Sequence, residues 1–289
     1  MSNKQNLKNS FDVFIFDIDN VIVDTRFSYT DCIRETVQTY FERHLQFKSS
    51  HISLLSKNDV EQFKLLGGFN DDWDTCYGLI LYLLSLKPKV KTTAVLRQSA
   101  DLKNFSRKVK KPLFVKGVER VCGRNVQVKI RAIAQIFQRL YWSKYIRRES
   151  LIIPKTVFKK IAESGGKIGI ATGRSRREAN YVFKRFGISK WIRKMVAVDD
   201  LPGKNLKKPN PYSLLKIGET FGRKLRYLYV GDLPDDMQTA KAASRKMNVT
   251  PWGFSHSSLP RKEIEEALKK AGAKKVVRTA SELNRLLVK

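Results

Sequence analysis

Phe14-Ile15-Phe16-Asp17-Ile18-Asp19 is an apolar run that ends abruptly in two carboxylates. The segment from Asp12 to Phe16, rich in Phe, Val and Ile, reads as a buried strand of a parallel sheet. Such strands are covered on both faces and lose the polar alternation of a half-exposed strand. In open α/β sheets ligands gather beyond the carboxyl ends of the strands. Asp17 and Asp19 therefore stand where chemistry is expected.

Downstream, from Pro154, apolar strands and amphipathic helices alternate. Strands are expected at Lys167–Ala171, Met195–Val198, Tyr227–Val230, near Val249 and at Lys275–Val277. Helices are expected at Arg176–Phe186, Pro211–Phe221, Asp235–Ala243, Arg261–Ala271 and Ser281–Leu287. This alternation implies an α/β fold built on a doubly wound, Rossmann-like parallel sheet. Between its first strand and the rest lies a different block, from Tyr29 to about Leu140. There apolar residues recur at helical spacing, as in Cys32, Val37, Tyr40 and Phe41 and again in Ile130, Ile133, Ile136 and Phe137. Pro88, Pro112, Gly117 and Gly123 punctuate that block as loops. The expected organisation is a core domain of residues 1–25 and 148–289, interrupted by an all-helical domain of residues 26–147.

The 289 residues suffice for a large core, and an apolar content of 42% argues against disorder. The run Val13–Phe16 is too short for a signal sequence and is broken by Asp17. Leu79–Leu86 is far shorter than the roughly 20 apolar residues of a membrane span. A soluble, cytoplasmic protein without membrane partners is expected. Cys32, Cys76 and Cys122 are odd in number and lack any Cys-x-x-Cys pair, which indicates neither a disulfide framework nor a zinc site. His44, His51 and His256 match no ligand spacing.

The formal net charge is +30, which invites a nucleic-acid reading. Residues 26–147 carry +13 of it and the remainder +17, so the excess is spread over both parts instead of marking one stripe. The densest run, Lys103 to Arg124, has eight basic residues against Glu119 alone.

Four features fall at expected strand ends, in chain order: Asp17 with Asp19; Thr172-Gly173-Arg174; Lys208-Pro209-Asn210-Pro211; and Gly231-Asp232 with Asp235 and Asp236. Each alone has a structural explanation as a turn, a helix start or an N-cap. In this order, on these elements, they resemble the signature motifs of the haloacid dehalogenase superfamily of phosphohydrolases, over nearly the whole chain. The insertion resembles the helical cap of the phosphoglycolate phosphatase-like branch. Gly67-Gly68-Phe69-Asn70-Asp71-Asp72-Trp73 lies where related caps carry a substrate-specificity loop.

The resemblance implies a Mg²⁺-dependent phosphatase that forms a phosphoaspartyl intermediate on Asp17. A phosphate dianion repels an attacking carboxylate, so the site must supply positive charge and hold the nucleophile in line. By the family pattern Asp17 and Asp232 are direct metal ligands, and the main-chain carbonyl of Asp19 is another. Asp236 supports the metal through water or orients Lys208, and Asp235 could share that task. Hard oxygen ligands with retained waters suit Mg²⁺. Asp19, two residues after the nucleophile, would protonate the leaving alkoxide and later deprotonate water. Dehalogenases generally lack this second Asp; sugar phosphomutases keep it, so mutase chemistry stays open. Thr172 and the Gly173 backbone would hold phosphoryl oxygens, and Lys208 would neutralise charge, although Lys207 adjoins it.

Arg174 reads either as the binder of a second substrate anion or as a solvated first-turn residue beside Arg176 and Arg177. Asn20 stands where the family often has Gly, a replacement that left-handed backbone geometry tolerates. In the insertion, Lys64 and Asn70 are candidate substrate contacts, while Asn70 and Asp71 could instead cap a helix. Asp24 could contact substrate or fix the hinge. The expected partner is a small phosphorylated metabolite. The alternatives are a phosphatase of nucleotide or nucleic-acid ends, and a basic nucleic-acid-binding protein that has kept the fold and lost catalysis.

Overall fold

The computed structural model describes residues 11–69, 71–256 and 261–288. In chain order, β1 (Val13–Phe16) and β2 (Val23–Asp24) precede seven helices: α1 (Tyr29–Arg43), α2 (Lys57–Lys64), α3 (Asp72–Ser85), α4 (Thr93–Ser99), α5 (Leu102–Lys108), α6 (Phe114–Cys122) and α7 (Ile130–Leu140). A π-helical turn (Tyr141–Tyr145) and β3 (Ser150–Leu151) follow. The chain continues through α8 (Lys155–Glu163), β4 (Lys167–Ala171), α9 (Arg176–Arg185), β5 (Ile192–Val196), α10 (Tyr212–Phe221) and β6 (Tyr227–Gly231). It ends with α11 (Pro234–Ala243), β7 (Val249–Phe254), α12 (Arg261–Ala271), β8 (Lys275–Val277) and α13 (Ala280–Leu287). Two compact units result. One is Thr25–Ser150; the other joins the chain up to Asp24 to Leu151–His256 and the part from Arg261.

The α/β unit is a six-stranded sheet in the order β5-β4-β1-β6-β7-β8, with every pair parallel. All four residues of β1 are buried, as expected for a central strand covered on both faces. Alternation divides them: Phe14 and Phe16 join Phe158, Ile170, Phe183 and Val230 on one face, while Val13 and Ile15 join Leu214, Ile217, Tyr229 and Ala240 on the other. Gly169 in β4 lets α10 come close, since a Cβ there would lie 3.1 Å from Cγ2 of Ile217. Burying each such Phe or Ile stabilises the fold by roughly 1.5–3 kcal/mol. After β5 the chain crosses β1 to lay down β6, so the strand order reverses beside β1. That is the place where doubly wound sheets open a ligand crevice.

Several boundaries shift by one residue from the sequence reading, and two strands depart from it for a physical reason. β5 starts at Ile192, earlier than expected, because it is an edge strand and exposes Arg193. An exposed charge at the edge removes the apolar run by which buried strands are read. β7 is six residues long despite Pro251. Its ladder to β8 begins at Trp252, so the missing N–H of Pro251 falls before that ladder. Across the root of the insertion, the Ile152 N–H donates to the Ile22 carbonyl at 2.8 Å.

The helical unit is organised around α3, whose residues Thr75 to Leu83 are all buried. Gly78 sits where α2 meets α3: a Cβ there would lie 2.7 Å from the Phe63 ring and 3.1 Å from Phe69. Tyr29 and Tyr141 pack as tilted rings with centroids 4.5 Å apart, tying the start of α1 to the π-helical turn. Buried Glu149 accepts from the Tyr141 hydroxyl at 2.9 Å, which provides a polar partner for that ring's hydroxyl. No helix among the described residues is long and apolar enough to cross a membrane.

Candidate active site

At the carboxyl end of β1 the Asp17 N–H donates to the Val230 carbonyl at 3.0 Å, so the β1–β6 ladder continues through the first residue of the site. Its side chain is 3% exposed. Lys208, in the segment between β5 and α10, places its Nζ 2.9 Å from Asp17 Oδ1 and 2.8 Å from Asp236 Oδ1. The Lys208–Pro209 peptide is cis. Asp236, in the first turn of α11, is fully buried and accepts from the Tyr229 hydroxyl at 2.8 Å and the Leu233 N–H at 3.0 Å. A continuous chain therefore runs from Tyr229 through Asp236 and Lys208 to Asp17.

Electrostatics follow from this burial. Desolvation pushes the Asp17 carboxyl up to about 7, against the pull of Lys208 and with the help of Asp236 and Asp19. Burial works against the Lys208 ammonium, but Asp17 and Asp236 outweigh it and hold its pKa well above the ordinary lysine value. Burial, reinforced by Asp236, likewise holds the Tyr229 hydroxyl well above its ordinary pKa, so it stays a donor.

Asp17, Asp232 and Asp236 each offer a carboxylate oxygen, and the three oxygens lie within 4.8 Å of one another. Lys208 is the ammonium that touches two of them. Carboxylates gathered this closely repel one another as they ionise, and a divalent cation among them would relieve that repulsion. The donors are hard oxygens, so the set fits Mg²⁺. Asn20 donates from Nδ2 to Asp232 Oδ2 at 3.1 Å and holds a left-handed φ of 52°. The replacement for Gly thus also orients one of the three carboxylates. The Asp19 carboxylate is not in this group among the described residues, and neither is that of buried Asp235.

At the end of β4 the Thr172 N–H donates to the Val196 carbonyl at 3.1 Å, and its hydroxyl accepts from the Arg174 N–H at 3.1 Å. Gly173 is exposed between them. Ser175 then caps α9 in a reciprocal arrangement with Glu178. Arg174 lies before that cap, not in the first turn, and its side chain is 1% exposed. Its Nε and Nη2 donate to Asp19 Oδ1 at 2.9 and 2.6 Å. The solvated first-turn arginines are Arg176, which pairs with Asp200, and Arg177.

The sheet therefore brings together Asp17, Lys208, Asp232 and Asp236 at one cluster, and Thr172, Arg174 and Asp19 at a second set of contacts. Lys64 lies in the helical unit, where its Nζ is 2.8 Å from Asp72 Oδ1. Asn70 lies outside the described residues. Its neighbour Asp71 is the N-cap of α3 and accepts from the N–H groups of Trp73 and Asp74. Asp24 Oδ2 lies 3.3 Å from His256 Nε2 within the α/β unit.

Sequence reasoning missed Tyr229 and the demand on Gly231. Tyr229 reads as one more apolar residue of β6; the available signal was a hydroxyl in a fully buried strand, which requires a partner. A Cβ on Gly231 would lie 2.3 Å from Asp236 Cβ and 2.6 Å from its Oδ2. Only glycine leaves Asp236 its place against Lys208.

Residues 11–244 match the family model for haloacid dehalogenase-like hydrolases. No curated protein matches the sequence. Among solved structures, phosphatase Tt82 from Thermococcus thioreducens aligns with a TM-score of 0.59 at 19% identity, covering 89% of this chain and 98% of that one. A predicted phosphoglycolate phosphatase from Haemophilus somnus aligns with a TM-score of 0.58 at 15% identity, covering 96% and 97%. A hydrolase from Pseudomonas syringae gives 0.54 at 18% identity, covering 94% and 96%. At such identities these alignments speak for the fold alone.

Proposed function

The chain belongs to the haloacid dehalogenase-like hydrolase family, and on that premise we propose that it is a Mg²⁺-dependent phosphatase of small phosphate monoesters working through a phosphoaspartyl intermediate on Asp17. One observation carries the reading: a buried strand-end carboxylate lies 2.9 Å from a buried lysine and within 4.8 Å of two further carboxylate groups. The phosphatase names of the Thermococcus and Haemophilus neighbours point the same way.

In this reading Asp17 attacks phosphorus, and the electron pair of the breaking ester bond passes to the leaving oxygen as Asp19 delivers a proton to it. Water then attacks the same phosphorus, Asp19 takes its proton, and the Asp17 carboxylate is released with inorganic phosphate. Lys208 offsets charge on the phosphoryl group and holds Asp17 in line. Thr172 and the Gly173 backbone bind phosphoryl oxygens. Asp17, Asp232 and Asp236 would hold Mg²⁺, with Asp19 adding its main-chain carbonyl; the ion supplies positive charge to the transferred group. The inserted helical unit would act as a cap that excludes water, with Lys64 and Asn70 as its substrate contacts.

Turnover of a phosphate-ester panel with Mg²⁺ and with EDTA, by wild type, Asp17→Asn and Asp19→Asn, tests the reading. Release of phosphate should need Mg²⁺ and vanish in Asp17→Asn. Equal hydrolysis of an aryl phosphate by all three proteins would refute the mechanism.

A second reading, a phosphatase of nucleotide or nucleic-acid ends, has one observation in its favour: all eight basic side chains between Lys103 and Arg124 are exposed. The lone acidic residue there, Glu119, accepts from the Tyr77 hydroxyl at 2.8 Å. Strongly salt-dependent binding of single-stranded RNA or DNA would favour it; weak binding at physiological salt would remove its motive.

A further inference from the structure

Arg174 is, among the described residues of the α/β unit, a buried cation for which the proposed chemistry has no use. It lies at the end of β4, with its N–H on Thr172 Oγ1 at 3.1 Å and its carbonyl accepting from Val198 N–H at 3.1 Å. Backbone contacts on both sides fix where its side chain starts. The guanidinium, 1% exposed, then crosses to the segment after β1 and converges with two donors on one oxygen of Asp19. Asp19 itself is 27% exposed. A planar guanidinium sets direction as well as charge, which an ammonium on a flexible stem does not. The rigid partner is thus the arginine, and the group it steadies is the partly exposed one.

We propose that Arg174 is a positioning residue: it holds the Asp19 carboxyl group in the place from which it exchanges protons with the leaving oxygen and the attacking water. The inference rests on the phosphatase reading above. It differs from binding of a second substrate anion, because a guanidinium at 1% exposure with Nε and Nη2 already on Asp19 is closed to solvent. It also makes a prediction that a merely structural arginine does not. In the first step the ester bond to phosphorus breaks, its electron pair goes to the leaving oxygen, and Asp19 supplies the proton that yields the alcohol. An alkoxide leaves poorly without that proton, whereas 4-nitrophenolate is stable without it. Loss of Arg174 must therefore harm alkyl esters more than aryl esters.

The experiment compares kcat/KM of wild type, Arg174→Met, Arg174→Lys, Asp19→Asn and Arg174→Met/Asp19→Asn on glycerol phosphate and 4-nitrophenyl phosphate, with melting temperatures recorded for each. Misplacement of a general acid should cost the alkyl ester at least about tenfold more than the aryl ester, within the 10²–10⁴ that such catalysis contributes. In the Asp19→Asn background, Arg174→Met should add little, because the residue then has no acid to place. Equal losses on both esters, or losses that add in the double variant, overturn the proposal. Should Arg174→Met fail to fold, Arg174→Lys, which keeps the charge and loses the fork, decides by the same ester comparison. Failure of the phosphatase reading looks different: wild type would then show no turnover that depends on Asp17.

Discussion

The Tyr229 hydroxyl and the Lys208 ammonium meet at a single atom, Asp236 Oδ1, each at 2.8 Å. Tyr229 reaches it from inside the sheet and Lys208 from the loop before α10, so a strand side chain helps to decide where the lysine stands. Tyr229→Phe removes one hydrogen bond to a buried carboxylate and leaves the ring's packing intact. The expected cost is about 1.5 kcal/mol of stability and a roughly tenfold weaker response to Mg²⁺, the lower end for loss of a group that orients metal ligands. Urea unfolding and Mg²⁺ titration of turnover measure the two effects. Unchanged Mg²⁺ dependence would show that Asp236 keeps its place without the hydroxyl.

Lys208→Met tests the same cluster from its charged side. Asp17 and Asp236 are buried, and Lys208 is the ammonium between them. Removing one partner of a buried ion pair typically costs about 3–5 kcal/mol, because the other charge stays desolvated. Turnover should fall about 10²- to 10³-fold, the scale for losing one group that stabilises transferred charge. Stability should recover in part when Mg²⁺ is added, since a cation at these oxygens replaces some of the missing charge. Thermal unfolding of wild type and variant, each with Mg²⁺ and with EDTA, reads this directly. The variant should gain more from the metal than wild type does.

How far these relationships were legible in the sequence depends on whether they are carried by order along the chain or by burial. Asp17, Thr172 and Asp232 could be placed together because each follows an apolar run, and a parallel sheet gathers the carboxyl ends of its strands along one edge; Lys208, which follows Leu206-Lys207 in a loop, joined them only through the resemblance to the family. The two-sided cover of β1 was likewise visible, because Val13 to Phe16 contains no polar residue. Arg174 was not legible: beside Arg176 and Arg177 it is one of three similar residues, and only tertiary packing separates the buried one from the exposed ones. Tyr229 looked like core because it is fully buried, and only its hydroxyl is polar. Asn20 was read for its backbone, while its amide contact to Asp232 spans 212 positions of sequence. No local pattern encodes such a pair.

The raised pKa of Asp17 carries a signed prediction for pH. In metal-free folded protein the carboxyl keeps its proton until about pH 7, whereas in the unfolded chain it releases it near the ordinary 3.8. Between those values the folded state binds the extra proton, so this group's contribution to stability falls as pH rises and levels off above about 7. Asp17→Asn has no such proton. Its melting temperature in EDTA should therefore gain on wild type as pH rises from 4 to 7, with a constant difference above. Protons and Mg²⁺ compete for the same oxygens, so wild-type Mg²⁺ affinity should weaken below about pH 7. Calorimetric Mg²⁺ titration across that range measures it. A flat affinity from pH 5.5 to 8 would mean that Asp17 titrates elsewhere.

Gly231 offers the sharpest separation of site geometry from fold. It ends β6, and a methyl group there would stand 2.3 Å from Asp236 Cβ, a distance no packed structure accepts. Two responses are open to Gly231→Ala: the start of α11 shifts, or the Asp236 side chain leaves its place. Either one breaks the joint contact of Asp236 with Tyr229, Lys208 and the Leu233 N–H. Overpacking of this kind costs about 1–3 kcal/mol, which a domain with two well-covered sheet faces survives. The variant should therefore fold, melt somewhat lower and show little Mg²⁺-dependent turnover, with Mg²⁺ no longer raising its melting temperature. Gly187, whose Cβ would meet nothing within 4 Å but whose φ is 66°, provides the comparison. Gly187→Ala carries backbone strain far from these carboxylates in sequence, and should lower the melting temperature while Mg²⁺ still raises it. If Gly231→Ala also kept its full response to Mg²⁺, Asp236 would not be needed at the metal, and the cluster would have to work through Asp17 and Asp232.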